Sequence, residues 1–537
     1  MQHHKTVREN PRLRMAIWST YRILGALDVD RLVDSIETLV ATHDALRVRI
    51  VERPDGLLHQ EVRDIPGRSS LVTVQKVLSR SEEQFERYVR HVTASEKDRQ
   101  WDPETFPFKF RLLEYGPTVH ALLAGFSHIA VDGVGSDILL RDLKRLYATS
   151  AARVISPGRP LRSFVESAAR QAVARARRSR GTAVIPAFPA IPPLTQFELQ
   201  TPSPKDGERC QQSIFSLSGD ELGTLRRLVQ LHGCTEFQWI LTAFAATIFR
   251  FTRQDRLKVS VPVNLRTAAD RDVAGMYVLS VPVLIDRPGS REEFPNFPKR
   301  VGAALFRTIA TYQKAEPELI EAAMATAGER WGTRFLEDLS VNYTRSSFSS
   351  RSSAQLGWAE YAPQVNYAIR GAGLRVCSFP DVLDFHAVLD SAIFSDKSVS
   401  DLIGSLRKNL TSATDGWDTA SARLTTKDVT SLRDATGAVV VSANLREIEK
   451  ALLRHPSVRA AGVERRTADD GGTYLHAEVE VRGEMAEESV RDYLMAVGSG
   501  PSRILAPRVI HVLHGALGRA PSRTRAAARR SWLDGEE

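Results

Sequence analysis

Cysteine is scarce. Cys210, Cys234 and Cys377 are the only three in 537 residues, and they lie far apart. A disulfide framework needs paired and closely spaced cysteines, so the expectation is reduced thiols and a cytoplasmic protein. No Cys/His cluster has zinc-site spacing, so no metal is expected. Long apolar runs are missing as well. The longest, at 239–249, is broken by Thr242 and Thr247. It falls short of the ~20 residues that span a bilayer and reads as a core helix. The first eight residues, Met-Gln-His-His-Lys-Thr-Val-Arg, contain no apolar stretch of the signal-peptide kind. No membrane partner is therefore expected.

The charge is uneven. The net charge is +9, and Arg162, Arg170, Arg175, Arg177, Arg178 and Arg180 share their stretch with a single acid, Glu166. Arg519, Arg523, Arg525, Arg529 and Arg530 form a second cluster. Neither cluster holds the aromatic side chains on which bases stack, so nucleic acid is not the expected partner. The first cluster reads as a solvated helix face. The apolar share of 42% is ordinary for a globular protein, and a chain of 537 residues exceeds one core, so two or three domains are expected.

The most informative stretch is Ser127-His128-Ile129-Ala130-Val131-Asp132-Gly133, with His-x-x-x-Asp-Gly at its centre. The apolar run at 119–126 before it reads as a buried strand. Residues 136–147 after it carry apolar side chains at helical spacing. A histidine and an aspartate thus share a strand-to-helix turn, and Gly133 is free to take a backbone shape that other residues resist. An imidazole with a pKa near 6.5 accepts and returns a proton at neutral pH, as acyl transfer to an amine or hydroxyl requires. A packed histidine beside a helix-capping aspartate is an equal reading of the spacing alone.

The flanking segments weigh on that choice. Residues 26–32 and 39–50, the latter containing Ala41-Thr42-His43-Asp44-Ala45-Leu46-Arg47, resemble the opening of condensation domains from nonribosomal peptide synthetases. The turn resembles that family's H-H-x-x-x-D-G signature. Residues 235–246 resemble its long buried helix, and Val261-Pro262-Val263-Asn264-Leu265-Arg266 and 273–283 resemble its P-V-x-x-R and V-G-x-F-V-N-x-L-P segments. The likeness covers about residues 12–412, in order.

The resemblance implies an α/β (α+β) fold. Two chloramphenicol-acetyltransferase-like lobes would form a V around a tunnel that holds the histidine. It implies that His128 is catalytic, with Asp132 and Arg266 paired and turned away from the substrate, and Gly133 in support. Ser127 stands where the family has its first histidine. Ser127, Asn342 and Tyr343 are expected at the tunnel, the last two on the strand implied by Val341-Asn342-Tyr343-Thr344. Gln355-Leu356-Gly357-Trp358 faintly resembles the D-F-G-W-G loop of plant acyltransferases but lacks its aspartate. Trp358 is expected in the core or a lobe contact.

The expected organisation is an N-lobe over 1–180, a proline-rich connector over 181–209, a C-lobe over 210–415 and a small α+β module over 427–537. Residues 445–463 and 506–513 resemble the C-terminal subdomain of acyl-adenylating enzymes. Those enzymes end on a P-x-T-x-x-G-K-x-x-R segment, whose counterpart here is Pro521-Ser522-Arg523-Thr524-Arg525 and the residues after it. There is no lysine after Lys450. An arginine does not replace a reactive-site lysine. A Gly/Ser/Thr-rich phosphate loop is also lacking, so no ATP chemistry is expected of this degenerate module. Ile448, Leu452, Leu453 and Val458 are expected on one helix, and Leu475, Ala477, Val479 and Val481 on one strand.

The expected function is a stand-alone condensation enzyme of natural-product biosynthesis. It would move an acyl group from a carrier-protein thioester to an amine or hydroxyl. The resemblance implies that the chain would bind no cofactor itself and that its substrate would ride on the phosphopantetheine of an acyl or peptidyl carrier protein or a neighbouring synthetase. The acceptor is a small molecule. Two alternatives remain at this stage: a coenzyme-A-dependent acyltransferase, and a non-catalytic scaffold that binds carrier proteins.

Overall fold

The strand before the histidine is apolar at almost every position because both of its faces are covered. This strand, Val119–Ser127, is buried from His120 onward. Leu122, Ala124 and Phe126 face one core, and Ala121 and Leu123 face another. The computed structural model describes residues 16–52, 54, 58–99, 101–102, 105–149, 163–178, 194–197, 210–289, 292, 295–312, 338–345, 357–360, 371–412, 417, 429–498 and 505–514. Most of the proline-rich connector and the terminal arginine cluster lie outside these residues.

The first lobe runs β1 (Ala16–Leu24), α1 (Val29–Thr42), β2 (Val48–Glu52), β3 (Leu58–Val62), β4 (Val72–Lys76), α2 (Glu82–Asp98), β5 (Phe108–Tyr115), β6 (Val119–Ser127) and α3 (Gly133–Ala148). A further helix, α4 (Phe164–Arg178), follows. Helices α1 and α3 pack on one face of the sheet and α2 on the other. The second lobe runs β7 (Cys210–Ser218), α5 (Gly219–Leu231), α6 (Glu236–Phe249), β8 (Arg256–Asn264), β9 (Val278–Asp286), α7 (Asn296–Tyr312), β10 (Leu339–Arg345), β11 (Gly357–Glu360), β12 (Ala372–Ser378), β13 (Val382–Asp390) and α8 (Asp396–Thr411). Its sheet is ordered β7-β13-β12-β10-β8-β9 among the described residues. Helix α6 is buried from Trp239 through Phe249, and a capping box of Thr235 and Gln238 fixes its start.

One strand changes lobes. The N-lobe sheet is ordered β11-β1-β6-β5-β4, so β11, from inside the C-lobe sequence, forms its edge. Ile23 pairs with Trp358 in that register. The Trp358 ring lies 6.0 Å from Tyr21 and 6.4 Å from Tyr147, so it is a lobe contact. Strand alternation in sequence did not reveal this crossing, because four residues are too few to show a period.

The third module comprises β14 (Val429–Arg433), β15 (Val439–Asn444), α9 (Leu445–Leu453), β16 (Val458–Thr467), β17 (Thr473–Val481), α10 (Glu487–Gly498) and β18 (Val509–His514). Leu475, Ala477, Val479 and Val481 line one buried face of β17, with Ile448 and Leu452 in the same core. Val458 is not on the helix. The helix ends at Leu453, Pro456 prevents its continuation, and Val458 opens β16. Leu453 is half exposed rather than packed.

The module is fastened to the C-lobe at Gln254, which is 1% exposed. The Gln254 amide donates to Leu194 O at 3.1 Å and to Val440 O, and its oxygen accepts from Gln196 N at 2.9 Å. One neutral side chain therefore joins the C-lobe, the described part of the connector and the third module. Leu194 is buried in the module's core, and Asp255 and Val439 exchange two further bonds.

Candidate active site

His128 follows directly on β6. The Ser127 carbonyl accepts from Ala130 N and Val131 N, both at 3.0 Å, which closes the turn under the imidazole. His128 is half-buried. Burial holds its pKa below the ordinary 6.5, against smaller opposing effects of its own backbone and of Asp132. The imidazole is therefore neutral at pH 7, the form that accepts a proton.

Asp132 caps α3 and is fully buried. Its Oδ1 accepts from Gly135 N at 2.7 Å and Arg266 Nη2 at 2.8 Å. Its Oδ2 accepts from Arg266 Nη1 at 2.7 Å and Tyr277 N at 2.8 Å. Each carboxylate oxygen thus has two donors, and the arginine contact is bidentate. A carboxylate so occupied anchors the turn and is not placed to act as a base. Arg266 is held in turn by Val273 O at 3.2 Å, Gly275 O at 3.0 Å and Asn264 Oδ1 at 3.2 Å, and its guanidinium lies 4.3 Å from the Tyr277 ring. Asp132 and Gly135 belong to the first lobe, whereas Arg266, Val273, Gly275 and Tyr277 lie between β8 and β9 and Asn264 ends β8. The loop bearing His128 is therefore braced from the opposite lobe.

Gly133 does not take the unusual backbone expected of it. It is absent from the positive-φ glycines and starts α3 normally, and among the described residues a Cβ there would meet nothing within 4 Å. The crowded glycine of the turn is Gly135, whose Cβ would lie 3.0 Å from Gly275 N and O.

Ser127 is buried, and its N–H donates to Pro107 O at 3.0 Å. It borders a small cleft with Arg49, Trp101 and Ile129. Asn342 and Tyr343 are neighbours on β10 and so point to opposite faces of the sheet. Tyr343 faces the helices. Its hydroxyl donates to Glu236 Oε1 at 2.6 Å, and its ring lies 5.5 Å from Phe237. Burial and that carboxylate push its pKa up to about 12. Tyr343 therefore stays a neutral donor tied to the start of α6, and it does not share a face with Asn342.

In the first arginine cluster, Arg170 is exposed as expected and is also an ion-pair partner, with Nη2 2.7 Å from Asp270 Oδ1. Sequence reasoning did not single out Gly135, Asn264, Gly275 or Tyr277. Three of these act mainly through backbone atoms, which leave no residue-type signal.

The condensation-domain family model matches residues 16–369. Tyrocidine synthase 3 of Brevibacillus parabrevis is 27% identical over 285 residues, covering 52% of this chain and 4% of that protein. Phosphinothricin tripeptide synthetase PhsB of Streptomyces viridochromogenes is 28% identical over 312 residues, 55% of this chain and 25% of that protein. The chain thus spans a quarter or less of the length of these two curated relatives. Among solved structures, the X-domain from teicoplanin biosynthesis superposes with a TM-score of 0.62 at 16% identity, covering 76% of this chain and 92% of that one. The starter condensation domain of rhizomide synthetase RzmA, in complex with C8-CoA and Leu-SNAC, gives 0.59 at 17% identity, covering 78% and 93%. At these identities the structural likeness carries the fold alone.

Proposed function

Because the chain belongs to the condensation-domain family, we propose that it transfers an acyl group from a thioester to an amine or hydroxyl acceptor, with His128 as the base. The acceptor attacks the thioester carbonyl and passes its proton to His128. The new C–N or C–O bond forms, the C–S bond breaks, and the proton returns to the leaving thiolate. One observation carries this reading above the others. His128 is neutral, and the carboxylate four residues on is consumed by Arg266 and two backbone N–H groups. The base is thus left to the imidazole, and the pair is left to hold its loop. Ser127 and Asn342 are kept as substrate-wall residues, and Asp132 and Arg266 as support.

The donor thioester is proposed to arrive on the phosphopantetheine of an acyl or peptidyl carrier protein, in the cytoplasm, with a small molecule as acceptor. The RzmA domain was solved with an acyl-CoA, which keeps coenzyme A as an alternative donor. A complex of the X-domain with OxyB has also been solved, and it favours a second reading in which this fold serves as a binding scaffold. The third module is proposed to be a docking unit derived from an adenylating C-terminal subdomain. It has no lysine after Lys450, and ATP–pyrophosphate exchange above background would contradict that assignment.

The test is to offer the full chain acyl groups on a carrier protein, on coenzyme A and on a short thiol, with amine and hydroxyl acceptors, and to follow intact mass. An enzyme-dependent amide or ester supports the proposal, and the preferred thiol identifies the donor. Tight carrier binding with no product from any donor would replace it with the scaffold reading.

A further inference from the structure

The segment His43-Asp44-Ala45-Leu46-Arg47 resembles a family motif, yet the proposed reaction uses none of its side chains. The structure gives its members targets near the catalytic turn. His43 Nε2 lies 3.2 Å from Asp142 Oδ2 on α3. Asp44 Oδ1 accepts from Phe164 N at 2.9 Å, and Oδ2 accepts from Val165 N at 3.1 Å and from the Ser163 hydroxyl. These backbone N–H groups belong to the first turn of α4, where no intrahelical acceptor exists. A carboxylate from the N-lobe thus caps a helix that begins 120 residues later.

The same helix grips the other lobe. Ser167 Oγ at 2.8 Å and Arg170 Nη2 at 2.7 Å both donate to Asp270 Oδ1. Between these two grips, Phe164 is buried in a cluster that spans both lobes, with Ala45 and Val48 on one side and Val273 and Tyr277 on the other. Its ring meets Tyr277 edge-on at 5.7 Å. A Cβ on Gly275 would lie 2.3 Å from Phe164 Cδ2 and 2.8 Å from Tyr277 Cε2, so the two rings, Phe164 foremost, fill the space that any side chain at 275 would need. Gly275 is pressed from the opposite side by Gly135 at the start of α3. Its carbonyl accepts from Asp132 N at 3.1 Å and from Arg266 Nη2 at 3.0 Å.

We propose that Asp44 and Phe164 are positioning residues for His128: Asp44 seats α4, and Phe164 wedges Gly275 against α3, where the Gly275 carbonyl sets both members of the pair that holds the catalytic turn. This rests on the reading of His128 as the base. It makes α4, exposed at most positions from Val165 to Val173, a brace between lobes as well as a surface helix. Neither side chain touches substrate.

The test measures kcat, KM for the thioester and thermal unfolding of the full chain. Misplacement of a catalytic group by about 1 Å costs roughly 100-fold in rate. Asp44→Ala and Phe164→Leu are therefore expected to lower kcat roughly 10- to 100-fold with KM changed less than threefold. Phe85→Leu, in the core behind α2, serves as a control that loses stability without losing kcat. Gly275→Ala should be worse than either. Adding Phe164→Ala to it should restore part of both kcat and stability, because the smaller side chain removes the two closest contacts of the new methyl and leaves Tyr277 Cε2, at 2.8 Å, to shift.

Two results would overturn the proposal. One is a double variant no better than Gly275→Ala alone. The other is a kcat loss in Asp44→Ala matched by Phe85→Leu at equal loss of stability. The stability rescue does not depend on the reaction. If His128→Ala stays active while the rescue is seen, the assignment of the base fails and the wedge stands.

Discussion

The joint between the lobes closes on a bidentate ion pair, whereas the joint between the C-lobe and the third module is centred on a neutral amide, with Asp255 accepting from Val439 N and Arg256 lying 4.0 Å from Asp434 at its edge. At the first, the Asp132 carboxylate and the Arg266 guanidinium meet in two bonds, both side chains nearly devoid of solvent. At the second, Gln254 reaches the connector and Val440 through an uncharged group. Both are fully engaged, but they fail differently. Loss of one partner of a buried pair leaves an uncompensated charge, while loss of an amide leaves unpaired main-chain groups. Charge with bidentate geometry also fixes angle as well as distance. That suits the joint from which the catalytic turn hangs. The module needs only attachment.

The largest effect is therefore expected at the charged joint. Asp132→Ala and Arg266→Ala should each lose about 3–5 kcal/mol in urea unfolding. Replacing both at once with apolar residues of similar volume should cost less than the sum of the single changes. Single variants as stable as wild type, with only activity reduced, would give Asp132 a direct chemical role.

Gln254→Ala should cost less, roughly 1–3 kcal/mol, and should leave kcat near wild type. A loss equal to that of Arg266→Ala would erase the contrast between the joints. A large loss of kcat would mean that the connector at 194–197 sets the lobes as strongly as Asp132 does.

The smallest effect is that of mild acid. Burial depresses the pKa values of His120, His128, His386 and His476 in the folded chain. Below the unfolded value of about 6.5, the unfolded chain takes up protons that the folded chain refuses, so stability falls as pH drops from 6.5 toward the lowered folded values. Asp270 and Asp434 are shifted in the same direction, for a different reason and in a lower pH window. Burial raises each, but their hydrogen bonds hold both below the ordinary 3.8, so their contribution is lost only at lower pH. Melting temperature measured from pH 7.5 to 5 should decline gradually, with the loss starting near 6.5. A curve flat to pH 5 would contradict the buried neutral histidines.

Much of this was legible in sequence where side-chain type carries the chemistry. The turn at 127–133 and the apolar run of β6 announce themselves, and the Asp132–Arg266 contact followed from resemblance at 134 residues' separation. What stayed hidden was carried by backbone or by distance. Gly275 acts through its carbonyl and through the space it leaves empty. Tyr277 contributes an N–H to Asp132. Asp44 looks like any polar residue until α4 arrives to be capped. The facing of Tyr343 was hidden for a different reason: the strand was recognised, but a period of two puts neighbours on opposite faces, and the partner Glu236 shows which of them meets the start of α6.

The central claim is that a neutral imidazole, held by a pair that takes no part in the chemistry, moves the proton. It is tested most directly by product formation from a thioester donor with His128→Ala beside wild type, both checked for native stability. The account predicts a loss of roughly 100- to 10,000-fold in kcat/KM with the fold intact, and an acid limb in the wild-type profile below pH 6.5. A folded His128→Ala within a few-fold of wild type would contradict it.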